Sequence, residues 1–243
     1  MIASGYVPLI VKYMVNENVT VRKKAVYIVG NLMMGRDDVT TSVMRSSVFN
    51  HVSHLLLTDE QTISQVAWMT SNAVAGNESM TTIVFDHSLL PLVVSLLQSP
   101  CSKVVVDSLW VISNLFNCMS DKQRCRLLKD DTHDVLSAVL PLLSAELSKQ
   151  TPSKEIISPL CDIFMRILEF VSNREKRDLF EVYKMFETEL TKDVYAQLDE
   201  DSAYHADVEQ VVSFFEGIEE DDVFEGHAGW PTSSDDSSDS SGC

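Results

Sequence analysis

Three pairs of side chains stand out for the chemistry their types and spacing allow. Tyr27 is followed four positions later by Asn31, Trp68 by Asn72, and Trp110 by Asn114. Residues at i and i+4 are neighbours on one face of a helix. An Asn amide offers an acceptor oxygen and two donor hydrogens. The face of an aromatic ring attracts the cationic head of Lys or Arg, worth about 0.5–2 kcal/mol. The pairs recur in phase, within VYIVGNLMMG at 26–35, AWMTSNAVAG at 67–76 and LWVISNLFNC at 109–118, at steps of 41 and 42 residues. A second series keeps the same phase, with GYVPLIVKYM starting at Gly5, SSVFNHVSHL at Ser46 and HSLLPLVVSL at His87.

Such a row has a definite use. Packed helices lie roughly 8–10 Å apart, and an extended peptide advances about 3.3 Å per residue, so one repeat step matches about three peptide residues. A row of Asn side chains at that spacing clamps a peptide main chain without reading its sequence, while the aromatic faces take cationic side chains. Asp107, one turn before Trp110, and Asp37 and Asp38, after Asn31, are placed to add selectivity for positive charge. The pattern describes a receptor for an extended basic peptide. A Trp at helical spacing is by default a core residue and an Asn often serves a neighbouring turn; three pairs in phase outweigh that plainer reading.

Other chemistry is weakly signalled. His51 and His54 form H-x-x-H without an evident third ligand, so no metal is expected. The five cysteines (Cys101, Cys118, Cys125, Cys161, Cys243) form no C-x-x-C pair and are expected to be reduced, mostly buried thiols. Asn18 and Asn77 each head a glycosylation-like triplet, with no secretory route evident. No glycine-rich phosphate loop, nucleophile elbow or paired catalytic carboxylate motif is present, so the expectation is a protein that is not an enzyme and needs no cofactor. The ten Met residues are read as core filler.

The elements that must carry the three pairs follow from the apolar periodicity. In the third unit Leu89, Leu92, Val93, Leu96 and Leu97 form one stripe, preceded by Ile83 and Val84 and followed by Val104, Val105, Leu109 and Ile112. That reads as a short helix, a second helix and a longer third one. Breaks fall at Asn16-Glu17-Asn18, Asn77-Glu78 and Ser99-Pro100. A period of 40–47 residues with two or three helices per unit is the signature of HEAT or armadillo arrays, in which no unit buries its own apolar face and stacked neighbours share a core. The predicted fold is therefore all-α, a right-handed superhelical armadillo solenoid over residues 1–218, in units of about 1–35, 36–76, 77–118, 119–173 and 174–218. The pairs stop after three units, since Asp162 and Arg166 occupy the corresponding places in the helix predicted at 155–171. Further helices are predicted at 133–147, 178–190 and 205–218. The first helix, with an apolar edge at Tyr6, Leu9 and Tyr13, is expected to be partly exposed.

The chain of 243 residues carries 19 Lys plus Arg against 36 Asp plus Glu, a formal net charge of −17. Such a chain repels phosphate backbones, which argues against nucleic acid and for basic partners. Fourteen of the acids lie in Asp199–Cys243, where there is no Lys or Arg, so the rest is nearly neutral. Residues 219–243, acidic and then rich in Ser and Asp (SSDDSSDSSG), are expected to form a disordered tail. No apolar run approaches a membrane span and the opening residues do not read as a signal peptide, so an intracellular protein without membrane contact is expected.

The strings VGNLMMGRDDVTT (29–41), AWMTSNAVAGN (67–77) and LWVISN (109–114) resemble the importin alpha family of armadillo adaptors for nuclear localisation signals. They are similar to its sixth, seventh and eighth repeats, and the later helices with FFEGIEEDD (214–222) to its last repeats and acidic tail, so that the chain resembles the family's C-terminal half, from the sixth to the tenth repeat. The resemblance implies that Trp68, Asn72, Trp110 and Asn114 form the ladder of the minor signal-binding site, joined by Asn31. It further implies that Gly35 and Thr40 border the site and that Ser71 and Ser113 precede the ladder asparagines. Asp107 stands where the family usually has Glu, with Gln65 at the equivalent place one repeat earlier. Tyr27 stands where Arg is frequent, and Met33-Met34 replaces a smaller pair. The implied function is a nuclear import adaptor-like protein that binds basic signal peptides of cargo proteins and moves between cytoplasm and nucleus. The export receptor with Ran-GTP is an implied partner of the helices at 155–218. The family's basic importin-beta-binding segment has no counterpart here, so no importin beta binding is expected. The alternative reading is a structural armadillo scaffold for protein–protein interaction without transport.

Overall fold

The structure is a computed structural model that describes residues 6–35, 37–76, 78, 80–82, 88–124, 135–172 and 205–216. The predictions for Ile83 and Val84, the break at Asn77, Cys125, Cys243, the helix at 178–190 and the tail lie outside the described residues. Among the described residues there is no strand. The helices are α1 (Tyr6–Tyr13), α2 (Val19–Met33), α3 (Asp37–Met44), α4 (Phe49–Leu55), α5 (Glu60–Val74), α6 (Leu90–Ser95), α7 (Ser102–Cys118), α8 (Val135–Leu147), α9 (Lys154–Ser172) and α10 (His205–Glu216). They fall into two compact bodies. The first runs to Ser120, and the second holds 121–124 and the helices from Leu136 onward.

The first body is the span of the three aromatic–Asn units. Two of its three long helices start at a side-chain cap. The Asn18 side chain accepts the N–H groups of Thr20 (3.0 Å) and Val21 (3.2 Å), which opens α2. Asp59, 41 positions on, accepts from the N–H of Thr62 (3.0 Å) and from its hydroxyl (2.7 Å), which opens α5. A side-chain oxygen in this position satisfies N–H groups that a helix start leaves unpaired. Cys101, 42 further on, opens α7 without a side-chain bond, after the 3₁₀ turn Leu96–Gln98 and Ser99-Pro100 have ended the preceding helix. The caps thus keep the phase of the aromatic–Asn pairs.

Between the caps, apolar residues at helical spacing turn inward. α2 packs on α5, and α5 on α7. Val26 and Val29 of α2, Val66 and Met69 of α5, and Leu109, Val111 and Ile112 of α7 are wholly buried. Val104, Val105, Leu109 and Ile112 fulfil the predicted stripe, as do Leu89, Val93 and Leu97, whereas Leu92 and Leu96 are half-buried and Leu90 is buried beside them. Ser47 and Ser88, 41 residues apart, both take left-handed backbone (φ 63° and 50°) just before the second helix of their units, so the period is repeated in the turns. Ser108 fills an apolar place, buried with no partner for its hydroxyl. The Tyr6, Leu9 and Tyr13 edge of α1 is exposed, as the sequence predicts.

Polar bonds tie α2 to the start of α5. Arg22 donates to Asp59 Oδ2 (2.6 Å), to Thr62 Oγ1 (3.3 Å) and to the carbonyl of Asn16 (2.9 Å). Lys23 Nζ donates to Gln61 Oε1 (2.6 Å). In the second body α9 packs on α10, and Ser158 Oγ donates to Asp207 Oδ2 (2.5 Å). The Arg124 guanidinium lies 5.6 Å above the Phe170 ring. Cys161 is buried in α9; burial, and then the charges of Asp207 and Asp162, push its thiol far up, so it stays protonated and inert.

Asp59 gives a test of this capping. Its burial alone would raise the pKa, but bonds from the Thr62 hydroxyl, Arg22 and the Thr62 N–H, with the Arg22 charge, bring it from 3.8 to about 2. A lowered carboxyl pKa stabilises the fold fully above the unfolded value and loses that effect as pH falls towards the folded one. Asp59→Ala is expected to cost about 1–2 kcal/mol near neutral pH. Urea titrations should show the difference between parent and variant shrinking as pH falls from 4 to 2.

Candidate functional site

The ladder residues lie near the ends of three long helices whose order follows the chain. Each of the two later asparagines reaches back to the helix before it. Asn72 Nδ2 on α5 donates to the carbonyl of Gly30 on α2 (3.4 Å). Asn114 Nδ2 on α7 donates to the carbonyl of Ser71 on α5 (3.1 Å). In both cases the acceptor immediately precedes the Asn of the earlier unit, so the rule is the same at both steps. Asn31 breaks it and donates to the carbonyl of Tyr27 on its own helix (2.8 Å). Asn31 is exposed, and Asn72 and Asn114 are half-buried. One amide hydrogen of Asn72 and one of Asn114 tie neighbouring helices together, whereas that of Asn31 is spent within α2.

The aromatic row is uneven. Tyr27 and Trp68 stack on one another, with ring centroids 5.6 Å apart and planes at 16°. Offset-stacked rings at such separations attract. Gly30 makes this arrangement feasible, because a Cβ there would meet Trp68 Cζ3 at 2.4 Å. The Trp68 ring therefore lies against the α2 backbone and is half-buried. Trp110 has no matching glycine behind it. Ser71 stands in that place, buried, its hydroxyl donating to the Trp68 carbonyl (2.8 Å). Trp110 is 45% exposed and Tyr27 53%.

The remaining predicted residues divide between border and interior. Thr40 is buried on α3 and donates to the Met33 carbonyl (2.9 Å), closing the turn between α2 and α3. Gly35 sits in that turn, its N–H donating to the Leu32 carbonyl (3.2 Å). Ser113 is wholly buried behind Asn114. Asp107 is the main departure from the sequence reading. Rather than standing at the rim as a source of cation selectivity, it is buried between α5 and α7. Its Oδ2 accepts from Ser64 Oγ (2.6 Å) and from Lys103 Nζ (3.0 Å). Ser64 is buried as well, so this pair is an interhelix tie. Asp38 is exposed on α3. In the second body Asp162 and Arg166, at the ladder places of α9, pair with one another (3.6 Å), and Arg166 also pairs with Glu169 (3.0 Å). His51 and His54 lie on α4, and among the described residues no group of three His, Cys, Asp or Glu side chains is set to hold a metal ion.

Residues 77–116, essentially the third unit, match the armadillo/beta-catenin-like repeat. Among solved structures, the chain is similar to a designed armadillo repeat protein in complex with the peptide (KR)4. The two share 18% identity over 87% of this chain and 82% of that one, with a TM-score of 0.65. A further designed armadillo repeat protein matches at 17% identity over 86% of this chain and 82% of that one, with a TM-score of 0.64. A third structure, of computationally designed armadillo repeat proteins for modular peptide recognition, matches at 14% identity over 88% of this chain and all of that one, with a TM-score of 0.55. The fold is that of an all-α armadillo-repeat solenoid.

The packing of Trp68 on Gly30 separates two glycine substitutions. Gly30→Val is expected to cost about 1–3 kcal/mol, as overpacking does, and to shift Trp68 emission to the red as its ring leaves α2. Gly76→Ala, where an added Cβ would find Met80 at 3.6 Å, is expected to change stability by less than about 0.5 kcal/mol.

Proposed function

We propose that this chain is a non-enzymatic peptide receptor that takes an extended basic peptide along the ladder face of α2, α5 and α7. The observation that carries the reading is the row of Asn72 and Asn114, each anchored to the preceding helix by one amide hydrogen, beside an exposed Trp110. An anchored amide is pre-oriented, so little side-chain freedom is lost when it bonds a ligand. Asn72 and Asn114 bond the peptide main chain, and Trp110 stacks on a cationic side chain. The designed armadillo protein in complex with (KR)4 lends this reading a parallel in a similar fold.

The importin alpha resemblance takes the proposal further. The peptides are nuclear localisation signals of cargo proteins, and the chain works as an adaptor between cytoplasm and nucleus. The region 155–218 meets an export receptor together with Ran-GTP. A scaffold without peptide cargo is the second reading. It is favoured by the part that the ladder amides and Asp107 take in holding the helices together.

Binding of a fluorescent Lys/Arg-rich peptide distinguishes the two. Trp110→Ala removes an exposed ring and is expected to weaken binding by about 1–2 kcal/mol, with little change in thermal stability. Affinity in the parent should fall with added salt. A parent that binds no basic peptide, or a Trp110→Ala variant that binds as tightly as the parent, would favour the scaffold.

A further inference from the structure

We propose that Tyr27 closes the cation slot between α2 and α5, so that the ladder offers a single aromatic slot for a basic side chain, between α5 and α7 at Trp110. This rests on the peptide-binding reading above and names the side-chain pattern that the face accepts. The ladder would present two equivalent slots, one between Tyr27 and Trp68 and one between Trp68 and Trp110, if its rungs were evenly spaced. They are not. A cation sandwiched between two rings needs their planes roughly 7–8 Å apart, since each carbon contact takes about 3.5–4.0 Å. Tyr27 and Trp68 have centroids at 5.6 Å and planes within 16° of parallel, which leaves no room between them. Gly30 provides a second, independent observation. The missing Cβ lets the Trp68 ring press on the α2 backbone, with Cζ3 at 2.4 Å from where that Cβ would be. The α2-facing side of Trp68 is therefore filled by Tyr27 and Gly30 together.

The next step along the ladder differs at each of these places. Ser71 replaces the glycine, and Trp68 and Trp110 make no ring stack. Trp110 is 45% exposed, with a ring face for a guanidinium or ammonium group. Asn31, beside the closed slot, bonds its own helix rather than a neighbour, so the main-chain clamp there is also differently set. A peptide with one basic residue at the Trp110 step satisfies this face. A second basic residue about three positions away, one unit towards α2, finds no gap between Tyr27 and Trp68 and meets only the outer edge and face of Tyr27, with no second ring opposite, so it gains little.

The test uses the full chain and three otherwise neutral, alanine- and serine-based fluorescent peptides. One has a single Arg, and two carry a second Arg three residues to its N-terminal or C-terminal side. In the parent, the second Arg is expected to change the dissociation constant by less than about twofold in either peptide. In Tyr27→Ala, one of the two doubly basic peptides should bind about three- to tenfold tighter than the single-Arg peptide, the gain of a newly opened ring face. Tyr27→Phe keeps the cover and should behave as the parent. Acrylamide quenching of Trp68, read with Trp110 and Trp230 replaced by Phe, should rise in Tyr27→Ala and not in Tyr27→Phe. A parent that gains threefold or more from the second Arg overturns the proposal, as does a Tyr27→Ala variant with no such gain or with unchanged quenching. In those outcomes the single-Arg peptide still binds and the peptide-receptor reading stands. If the parent binds none of the three peptides, that reading fails and the slot assignment with it.

Discussion

The register between successive long helices is the constraint on which the candidate face depends, and two kinds of interaction divide the work of setting it. Apolar burial between α2, α5 and α7 supplies most of the stabilisation. Side chains such as Val29, Met69 and Leu109 each contribute about 1.5–3 kcal/mol when fully buried. That force is non-directional and would tolerate a slide along the helix axis. The bonds between helices are individually modest, about 0.5–1.5 kcal/mol net for the neutral ones and about 1.5–3 kcal/mol where a charged group takes part, but each has one donor and one acceptor. Arg22 with Asp59 ties α2 to the start of α5, and Asn72 with the Gly30 carbonyl ties the same two helices near their ends. Two ties that far apart fix the phase. Ser64 with Asp107 and Asn114 with the Ser71 carbonyl repeat the arrangement between α5 and α7.

Much of this was legible in the chain itself. The period of about 41 residues, the three aromatic–Asn pairs and the breaks before α2 and α7 follow from residue type and spacing, because a repeat writes the same local physics several times. The aromatic and Asn rows do share a face, since i and i+4 on a helix leave no other choice. What escaped depended on how two helices rotate against each other. Asp107 reads as a rim acid until Ser64 is found facing it from α5. The pairing of Arg22 with Asp59 is not evident from either residue alone; an Arg early in one helix and an Asp cap 37 residues later is the signal that joins them. Gly30, in the interior of a helix where glycine carries a cost, was the sequence's hint that something presses on that backbone. The identity of Trp68 as the pressing group needed the structure.

A difference between the units also bears on folding. The capping side chains of α2 and α5 come from Asn18 and Asp59, whereas α7 starts from Cys101 without one and carries the unpartnered Ser108 in its interior. α7 is nonetheless deeply packed, with Leu109, Val111 and Ile112 wholly buried. Its position is set by neighbours more than by its own ends, as expected when units bury their apolar faces against one another. Residues 77–116, which match the armadillo repeat, include most of this helix even though its start has no side-chain cap.

The ties at both ends of α2 and α5 mean that these helices run parallel, and Ser64–Asp107 with Asn114–Ser71 makes α7 parallel to them. Parallel helices add their macrodipoles, each equivalent to about half a negative charge at the C-terminal end. Asn31, Asn72 and Asn114 lie within two to four residues of the ends at Met33, Val74 and Cys118. The face they form therefore sits at the negative pole of three aligned helices. With Asp107 withdrawn into the α5–α7 interface, a preference for cationic ligands need not come from acidic side chains at all. The direction of the backbone already makes this end of the three helices electronegative.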